Sequence, residues 1–441
     1  MALFTGVKTN YKTLGYDSSI VRGRPSSHAK AEKLQSVLSW AQEAGLKTGF
    51  VTNARLTHAT PAALYAHAAS RDWECDGFVN RKKVHQDEPV PEDFADIARQ
   101  MIEFAPGNQT DIILGGGMSC FIDHPDYLES DWVCARQDGR NLIKDWKTNQ
   151  EKQGHFHRFV NDAQGLEAAV EAGVDKLLGI FSRSHLSFEY KRPSHQPSLG
   201  QMTQAAIKLL SKDQHSGFFL MVESSRIDHA HHNTYAKLAL EETLVLEQAV
   251  IKALETLKQQ NSLEETLVIV TSDHSHTMTL PGYPPRGSDI LGLSINNEMD
   301  GMPELPMIYA TGPENGLDKN CTRNNLTNAD LSDIKFRYPS LLPRYEESHS
   351  SEDVGLWATG PLAFMFHTTH EQSYVGHVLA FSLCSGHFKA GLYCQRRDFS
   401  KMARSLVAPM VIGSSALILL IIMIYFCWKS RQEIKFSFVP N

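Results

Sequence analysis

Short apolar runs alternate along this chain with helical stretches, and this alternation constrains the fold more than any other feature of the sequence. The runs that have the length and composition of buried strands are 48–52, 111–114, 217–222 and 267–270. The stretches with helical spacing of apolar residues are 27–44, 205–210 and 235–257. The alternation predicts an α/β fold with a mostly parallel central sheet flanked by helices. Binding sites in such sheets form where the strands end.

Composition narrows the class of protein further. The chain has 441 residues, of which 42% are hydrophobic and 21% charged, which is typical of a folded globular protein. The net charge of -7 and the scattered Lys and Arg residues argue against a nucleic-acid partner. Histidine is abundant, with 20 residues, and neutral imidazole is a common zinc ligand. Clustered histidines therefore become the first candidates for a functional site.

The densest polar cluster follows the apolar run 217–222 directly and extends from Glu223 to His232. If a helix begins near Arg226, Asp228 and His232 are four residues apart and share one helical face. Two such side chains can hold one zinc ion, and Glu223 at the strand end can reach a neighbouring hard cation. A merely polar helix N-terminus is the alternative, but capping does not need so many metal-ligand side chains.

Two more clusters lie next to predicted strands. Asp273, His274 and His276 come directly after the run 267–270. His58 and Thr60 follow the run 48–52, and a hydroxyl oxygen such as that of Thr60 suits magnesium. Arg71 comes thirteen residues after His58, and its planar guanidinium can bind two oxygens of a phosphate group. A fourth group, around His349, is a weak signal when taken alone.

Residues near the end of the chain predict a membrane anchor. The stretch 406–428 contains no charged residue and is long enough to cross a bilayer of roughly 30 Å. We expect 396–405 to be a linker and 429–441 to be a short polar tail. Polar residues after the apolar stretch favour a single-pass span, and a GPI signal is the alternative. Sequons at Asn108, Asn320 and Asn325 agree with an extracellular, glycosylated domain. Six cysteines precede the span, and Cys384 and Cys394 are close enough to form a disulfide.

In order along the chain, these motifs resemble those of the animal alkaline phosphatases, from about Gly6 to Cys394. The resemblance implies an alkaline phosphatase-like α/β domain over 1–280 and 345–395, interrupted by a crown-like surface insertion over 281–344 that lies outside the core. It also implies two zinc ions, one magnesium ion and a homodimer. The implied site residues are Asp228, His232 and His349 for the first zinc, Asp273 and His274 for the second, Thr60 and Glu223 for magnesium, Arg71 for phosphate, and His58 and His276 beside the metals.

The activity that the resemblance implies is hydrolysis of phosphate monoesters through a phosphoserine intermediate. In the family, the nucleophilic serine belongs to an Asp-Ser-Ala motif, and the residues after Met1 resemble the family's segment directly after that motif. We therefore expect four features to lie upstream of Met1: the serine, an Asp that bridges the second zinc ion and the magnesium ion, a central strand and a signal peptide. The chain as written is then expected to be inactive and the sequence to be a fragment.

Two other classes of function compete with this one. A catalytically dead, membrane-anchored pseudophosphatase that acts as a binding protein would need no serine. The retention of every expected downstream metal ligand argues against such decay. A related phosphodiesterase or sulfatase is the third possibility, and Arg71 together with Thr60 and Glu223 favours the monoesterase.

Overall fold

The computed structural model describes residues 1–79, 88–90, 94–123, 134–213, 216–294, 299–391 and 394. The chain divides into two compact units, Met1–Leu383 and Cys384–Asn441. In the second unit, the described part holds a short 3-10 turn at Gly386–Phe388 and the predicted disulfide between Cys384 and Cys394. The predicted linker 396–405, the span 406–428 and the tail 429–441 lie outside the described residues. Within the described part, no helix is long and apolar enough to cross a membrane.

Strands and helices alternate over most of the described chain. Its strands are β1 (Lys47–Arg55), β2 (Ile112–Gly116), β3 (His157–Val160), β4 (Lys176–Ile180), β5 (Phe218–Glu223), β6 (Val268–Thr271), β7 (Ser275–His276), β8 (Met278–Thr279), β9 (Ile308–Gly312), β10 (Ser340–Pro343), β11 (His349–Ser350) and β12 (Leu356–Thr359). Its α-helices are α1 (Ala2–Thr5), α2 (Val37–Glu43), α3 (Ala59–Tyr65), α4 (Asp76–Val79), α5 (Ile97–Glu103), α6 (Leu142–Lys152), α7 (Ala163–Ala172), α8 (Leu199–Leu210), α9 (Arg226–His232), α10 (Ala236–Gln259) and α11 (Gln372–Ser382).

A five-stranded sheet in the order β3-β4-β2-β1-β5 forms the centre of the first unit, and all of its neighbouring strands are parallel. Every residue of β2 and β4 is buried, as expected for parallel strands covered on both faces. The core on one side joins Leu114 and Leu177 of the sheet to Met202 and Leu209 of α8 and Ala249 of α10. The prediction of a mostly parallel central sheet flanked by helices is confirmed.

The order of the strands positions the site. β1 and β5 are neighbours, and their register places Thr52 opposite Glu223. After Glu223 the chain turns directly into α9, and after β1 it turns through His58 into α3. The carboxyl ends of these two strands therefore bring two of the predicted polar clusters to the same edge of the sheet.

The strand predicted at 267–270 exists as β6, but it lies outside the central sheet to which the sequence assigned it. β6 pairs antiparallel with β12, outside the five-stranded sheet. Its neighbour β7 pairs antiparallel with β11, which places His276 directly opposite His349. An apolar run predicts a strand but not its partner, because pairing depends on residues far away in the sequence.

The helix predicted over 27–44 is also wrong in its first half. Pro25–Ala29 forms a 3-10 turn, and α2 begins only after Ser36, whose side chain accepts a hydrogen bond from Ser39 N. Between the two, Leu34 N donates to the carbonyl of Gly15 rather than to a helical partner. Backbone bonding to a distant loop and a serine N-cap thus override the helical spacing of the apolar residues.

The stretch 281–344, which the sequence predicted to be a surface insertion outside the core, contributes four residues to a small separate buried cluster. Leu305, Met307, Tyr309 and Tyr338 pack together with Ala236 at the start of α10. Strand β9 pairs with β8 and β10 in a separate three-stranded sheet. The predicted sequons Asn320 and Asn325 are exposed in this stretch, whereas Asn108 is half-buried.

Candidate metal centre

Asp228 lies at the centre of the site, because three histidines converge on one of its oxygens. Asp228 Oδ1 is 2.8 Å from His276 Nε2 and 3.3 Å from the Nε2 atoms of both His232 and His349. Helix α9 places Asp228 and His232 one turn apart on the same face, as their spacing predicted. Burial alone would raise the pKa of Asp228, but hydrogen bonds from His232, His276 and His349 hold it well below its usual value. This carboxylate stays charged.

The three residues predicted to bind the first zinc lie together. His349 Nε2 is 3.2 Å from His232 Nε2, and both face Asp228. His349 reaches this point from more than a hundred residues away, because β11 pairs with β7. His232 Nδ1 points the other way, 2.6 Å from the carbonyl oxygen of Glu347, which fixes the ring with Nε2 towards Asp228.

The two residues predicted for the second zinc adjoin the first group. His274 Nε2 is 3.3 Å from Asp273 Oδ2 and 3.8 Å from Asp228 Oδ1. The ring of His274 stacks on the ring of His349 with their centroids 3.5 Å apart. Asp228, His274, His276 and His349 each offer one ligand atom, and these atoms lie within 4.8 Å of one another. A carboxylate with several imidazoles is the donor set that zinc prefers.

Glu223 and Thr60, predicted to bind magnesium, are also brought together. Glu223 accepts hydrogen bonds from Thr60 and from Thr52, whose Oγ1 lies 2.5 Å from Glu223 Oε2. Burial raises the pKa of Glu223 to about 7 despite these hydrogen bonds. Oxygen atoms from a carboxylate and a hydroxyl suit a magnesium ion, and its charge would favour the ionised carboxylate. Thr52 was not predicted, since only the strand register reveals it.

Arg71 and His58 lie in contact with each other. Arg71 Nη2 donates to His58 Nε2 over 3.1 Å. The backbone N–H of Arg71 is bonded to the carbonyl of Lys12, so a loop near the start of the chain holds this arginine in place. Burial, followed by the charges of Arg71 and Arg55, keeps the pKa of His58 well below its ordinary value. His58 is a neutral ring that accepts a hydrogen bond from Arg71.

Glu347 is the main residue that sequence reasoning missed. Its carboxylate is fully buried and lies 2.5 Å from His276 Nδ1, while it accepts hydrogen bonds from the backbone N–H and the hydroxyl of Thr277. Burial would lower the pKa of His276, but the hydrogen bonds with Asp228 and Glu347 raise it to about 9. The only hint in the sequence is the position of Glu347 two residues before His349. Nothing in the pattern distinguishes it from the exposed Glu346.

The described part of the chain contains two disulfides, one predicted from the sequence and one whose pairing the sequence left open. Cys75 and Cys134 are joined across 59 residues, and Cys384 is joined to Cys394 as predicted. Among the described residues, Cys120 is free and buried, and Cys321 is free and exposed. The first disulfide ties the segment just after Arg71 to the loop that precedes α6.

The parallel sheet and the nearby groups of carboxylates and imidazoles define an α/β protein with residues that could hold metal ions. The sequence model of the alkaline phosphatase family matches residues 1–385. The membrane-bound alkaline phosphatase of Bombyx mori is 37% identical over 388 residues, which cover 87% of this chain and 69% of that protein. The tissue-nonspecific alkaline phosphatase of Homo sapiens is 36% identical over 392 residues, which cover 87% of this chain and 72% of that protein.

Solved structures agree with the fold. The alkaline phosphatase of the Antarctic bacterium TAB5 superposes with a TM-score of 0.57 at 21% identity, over 88% of this chain and 82% of that chain. The chain belongs to the alkaline phosphatase family, whose members are metal-dependent phosphate monoester hydrolases. The resemblance drawn from the motifs is confirmed, and so is the class of enzyme.

Proposed function

We propose that the site of this chain takes two zinc ions and one magnesium ion and binds phosphate monoesters, as its part in the hydrolysis that the alkaline phosphatase family carries out. The observation that carries the proposal is the convergence of His232, His276 and His349 on one oxygen of Asp228, with His274 beside them. Burying several imidazoles around one charged carboxylate does not favour the stability of the fold, because each buried polar group needs a partner. The same groups are suitable ligands for metal ions, which neutralise the charge of the transferring phosphoryl group.

The donor chemistry supports one assignment of the three ions. Asp228, His232 and His349 would hold the first zinc ion, and Asp273 and His274 the second. Thr60 and Glu223, with oxygen donors only, would hold magnesium. His276 faces a carboxylate at each ring nitrogen, Asp228 at Nε2 and Glu347 at Nδ1. A ring that donates from both nitrogens has no lone pair for a metal ion, so His276 would orient Asp228 rather than bind the metal. When bound, the metal ions supply Lewis-acid stabilisation of phosphate oxygens.

The residues of this chain contribute binding and orientation. Arg71 presents guanidinium N–H groups, which match two oxygens of a phosphate group in a bidentate contact. His58 accepts a hydrogen bond from Arg71 Nη2 and so limits the directions in which the guanidinium can point. The serine nucleophile implied by the resemblance is not among these residues. The proposal for them therefore concerns the binding of metal ions and phosphate.

The setting of the protein is part of the proposal. The relative in Bombyx mori is named as membrane-bound, and this supports a membrane anchor at 406–428, whether a single-pass span or a GPI signal. Exposure of Asn320 and Asn325 supports glycosylation of an extracellular domain. We further propose a homodimer, as the family resemblance implies.

Metal content and phosphate binding test the proposal together. After chelation and reconstitution, the full chain should retain two zinc ions and bind inorganic phosphate only when zinc is present. Asp228→Asn should lose at least one zinc ion and the phosphate binding, whereas Asp330→Asn, a change at an exposed carboxylate, should lose neither. Zinc uptake without phosphate binding would contradict the phosphatase site, and absence of zinc uptake would contradict the metal centre itself.

A further inference from the structure

A pocket with a volume of about 470 Å³ lies between α8, α10 and the 3-10 turn Glu189–Lys191. Its volume is within the range of about 300–1,000 Å³ that is typical of small-molecule sites. The residues that line it include neither the proposed metal ligands nor the arginine assigned to phosphate. The pocket is therefore a second candidate site on this chain, separate from the metal centre.

The two helices supply most of the lining. Glu241 and Gln248 are seven residues apart on α10, which places them two turns apart on one face. The first turns of α8 lie against the same part of α10. A Cβ at Gly200 would be 3.5 Å from Lys252 Cγ and 3.8 Å from the carbonyl oxygen of Gln248, so the two helices are in close contact there. Gln204, one turn further along α8, lines the pocket from the other helix.

The 3-10 turn adds an aromatic ring to the lining. The backbone N–H of Glu189 donates to Oε1 of the buried Glu242 on α10 over 2.7 Å. Arg192 donates twice to the carboxylate of Glu189, each time over 2.9 Å, and once to the carbonyl oxygen of Gln196 over 2.6 Å. These contacts hold the turn on α10. Tyr190, within the turn, lines the pocket with 43% of its surface exposed.

Most of the charged side chains in the lining already have partners of opposite charge. Arg192 forms an ion pair with Glu189, and Lys252 Nζ lies 2.8 Å from Glu255 Oε2. Glu241 is the charged residue of the lining that has no ion pair within the described part of the chain. An anion in the pocket would meet an unpaired carboxylate and no unpaired cation. The charges therefore disfavour a phosphate or any other anion.

The groups left to contact a ligand are two amides, one carboxylate and an apolar surface. The side chains of Gln204, Glu241 and Gln248 form no hydrogen bond with other described residues. Amides both donate and accept, whereas the carboxylate only accepts. Tyr190 and Leu244, which is 53% exposed, add apolar surface. A purely apolar ligand would cover the polar groups without giving them partners, which is unfavourable. The ligand must therefore offer both hydroxyl-like groups and an apolar face.

We propose that this pocket binds a neutral sugar of one or two rings. The hydroxyl groups of a sugar both donate and accept, which matches the amides of Gln204 and Gln248 and the carboxylate of Glu241. The C–H groups on one face of a pyranose ring match the apolar face of Tyr190 and the side chain of Leu244. A neutral sugar also brings no charge that the lining would have to compensate. The site has a lining of its own, so the proposal does not depend on the proposed function.

Saturation-transfer NMR on the full chain tests the class of ligand. The probes are the methyl glycosides of glucose, galactose, mannose and N-acetylglucosamine, together with tetramethylammonium, because Tyr190 and Glu241 are also groups that can bind an organic cation. Transfer of saturation to the C–H protons of at least one glycoside is expected. Transfer to tetramethylammonium alone, or to none of the probes, would overturn the proposal.

Variants locate the binding in this pocket. Gln248→Ala should weaken the affinity for the bound glycoside about tenfold, since it removes the hydrogen bonds of one amide. Tyr190→Ala should weaken it as well, whereas Tyr190→Phe should not, because the ring face and not the hydroxyl is used. Gln259→Ala, a change at an exposed glutamine at the end of the same helix, is the matched control and should bind as the wild type does. Equal affinities of the wild type and Gln248→Ala would refute the site.

An array of immobilised glycans, probed with the labelled full chain, identifies the source of the sugar. Binding to the array that Gln248→Ala weakens would support the pocket and identify the terminal unit of a glycan as its ligand. Binding of the free glycosides without binding to the array would support the pocket with a free sugar as its ligand. Array binding that Gln248→Ala leaves unchanged, with no free glycoside bound, would contradict the proposal.

Discussion

Replacing Glu347 by glutamine keeps the size of the side chain and removes its charge. The wild-type carboxylate is fully buried and lies 2.5 Å from His276 Nδ1. It also accepts from the N–H and the hydroxyl of Thr277, each over 2.6 Å. The amide oxygen of the glutamine can still accept from Thr277. The substitution removes the charge-assisted hydrogen bond to His276, worth roughly 1.5–3 kcal/mol.

That loss sets the magnitude of the prediction. One pKa unit corresponds to about 1.4 kcal/mol, so the pKa of His276 should fall by roughly one to two units from its value of about 9. Because His276 Nε2 donates to Asp228, the orientation of that carboxylate should loosen as well. Zinc affinity should then drop by roughly 10- to 100-fold, as it does when groups that orient metal ligands are removed.

Two assays measure these effects separately. NMR titration of the His276 ring in the zinc-free chain reports its pKa, and competition with a chelator reports the zinc affinity. Glu346→Gln is the matched control, since Glu346 is the exposed neighbour and should leave both values unchanged. If Glu347→Gln also leaves the pKa of His276 and the zinc affinity at the wild-type values, the role given to Glu347 is refuted.

Three more predictions concern other parts of the chain. Arg71→Ala should abolish phosphate binding by the zinc-loaded chain, and Arg71→Lys should restore only part of it, because an ammonium cannot make the bidentate contact. Calorimetric titration with inorganic phosphate measures both variants. Equal binding by the wild type and Arg71→Ala would refute the role of Arg71. Changing Cys75 and Cys134 to serine opens a loop closed across 59 residues and should lower the free energy of unfolding by about 2–4 kcal/mol. Denaturant melts measure this loss, and an unchanged midpoint would contradict a stabilising role of the disulfide. Burial lowers the pKa of His67 to about 4, below its unfolded value of 6.5. The unfolded chain therefore binds the extra proton, and the free energy of unfolding should decline as pH falls from 6.5 to 4. In urea melts at each pH, His67→Gln should flatten this slope, and an unaltered slope would contradict the assignment to His67.

The sequence predicted those parts of the site that depend on local geometry. Asp228 and His232 are one helical turn apart wherever a helix forms, so their spacing was enough to pair them. Glu223 follows an apolar run directly, and a run of that length predicts a strand with Glu223 at its end. The resemblance to a family supplied the rest of the ligand set, including His349, whose distance along the chain hides its contact with His232.

Tertiary contacts account for the features that the sequence did not predict. Glu347 differs from Glu346 only in burial, and burial depends on how β11 pairs with β7. The pairing of β6 with β12 likewise depends on strand partners far apart in the chain. Pattern reasoning finds elements and local pairs, whereas packing selects which polar groups meet.

The central claim is that Asp228 and the histidines around it hold zinc. Anomalous diffraction collected on both sides of the zinc edge, from the reconstituted full chain, tests this claim most directly. The account predicts two zinc peaks, one among Asp228, His232 and His349 and one beside Asp273 and His274, with Asp228→Asn losing the first. Well-ordered side chains at these positions with no zinc peak between them would contradict it.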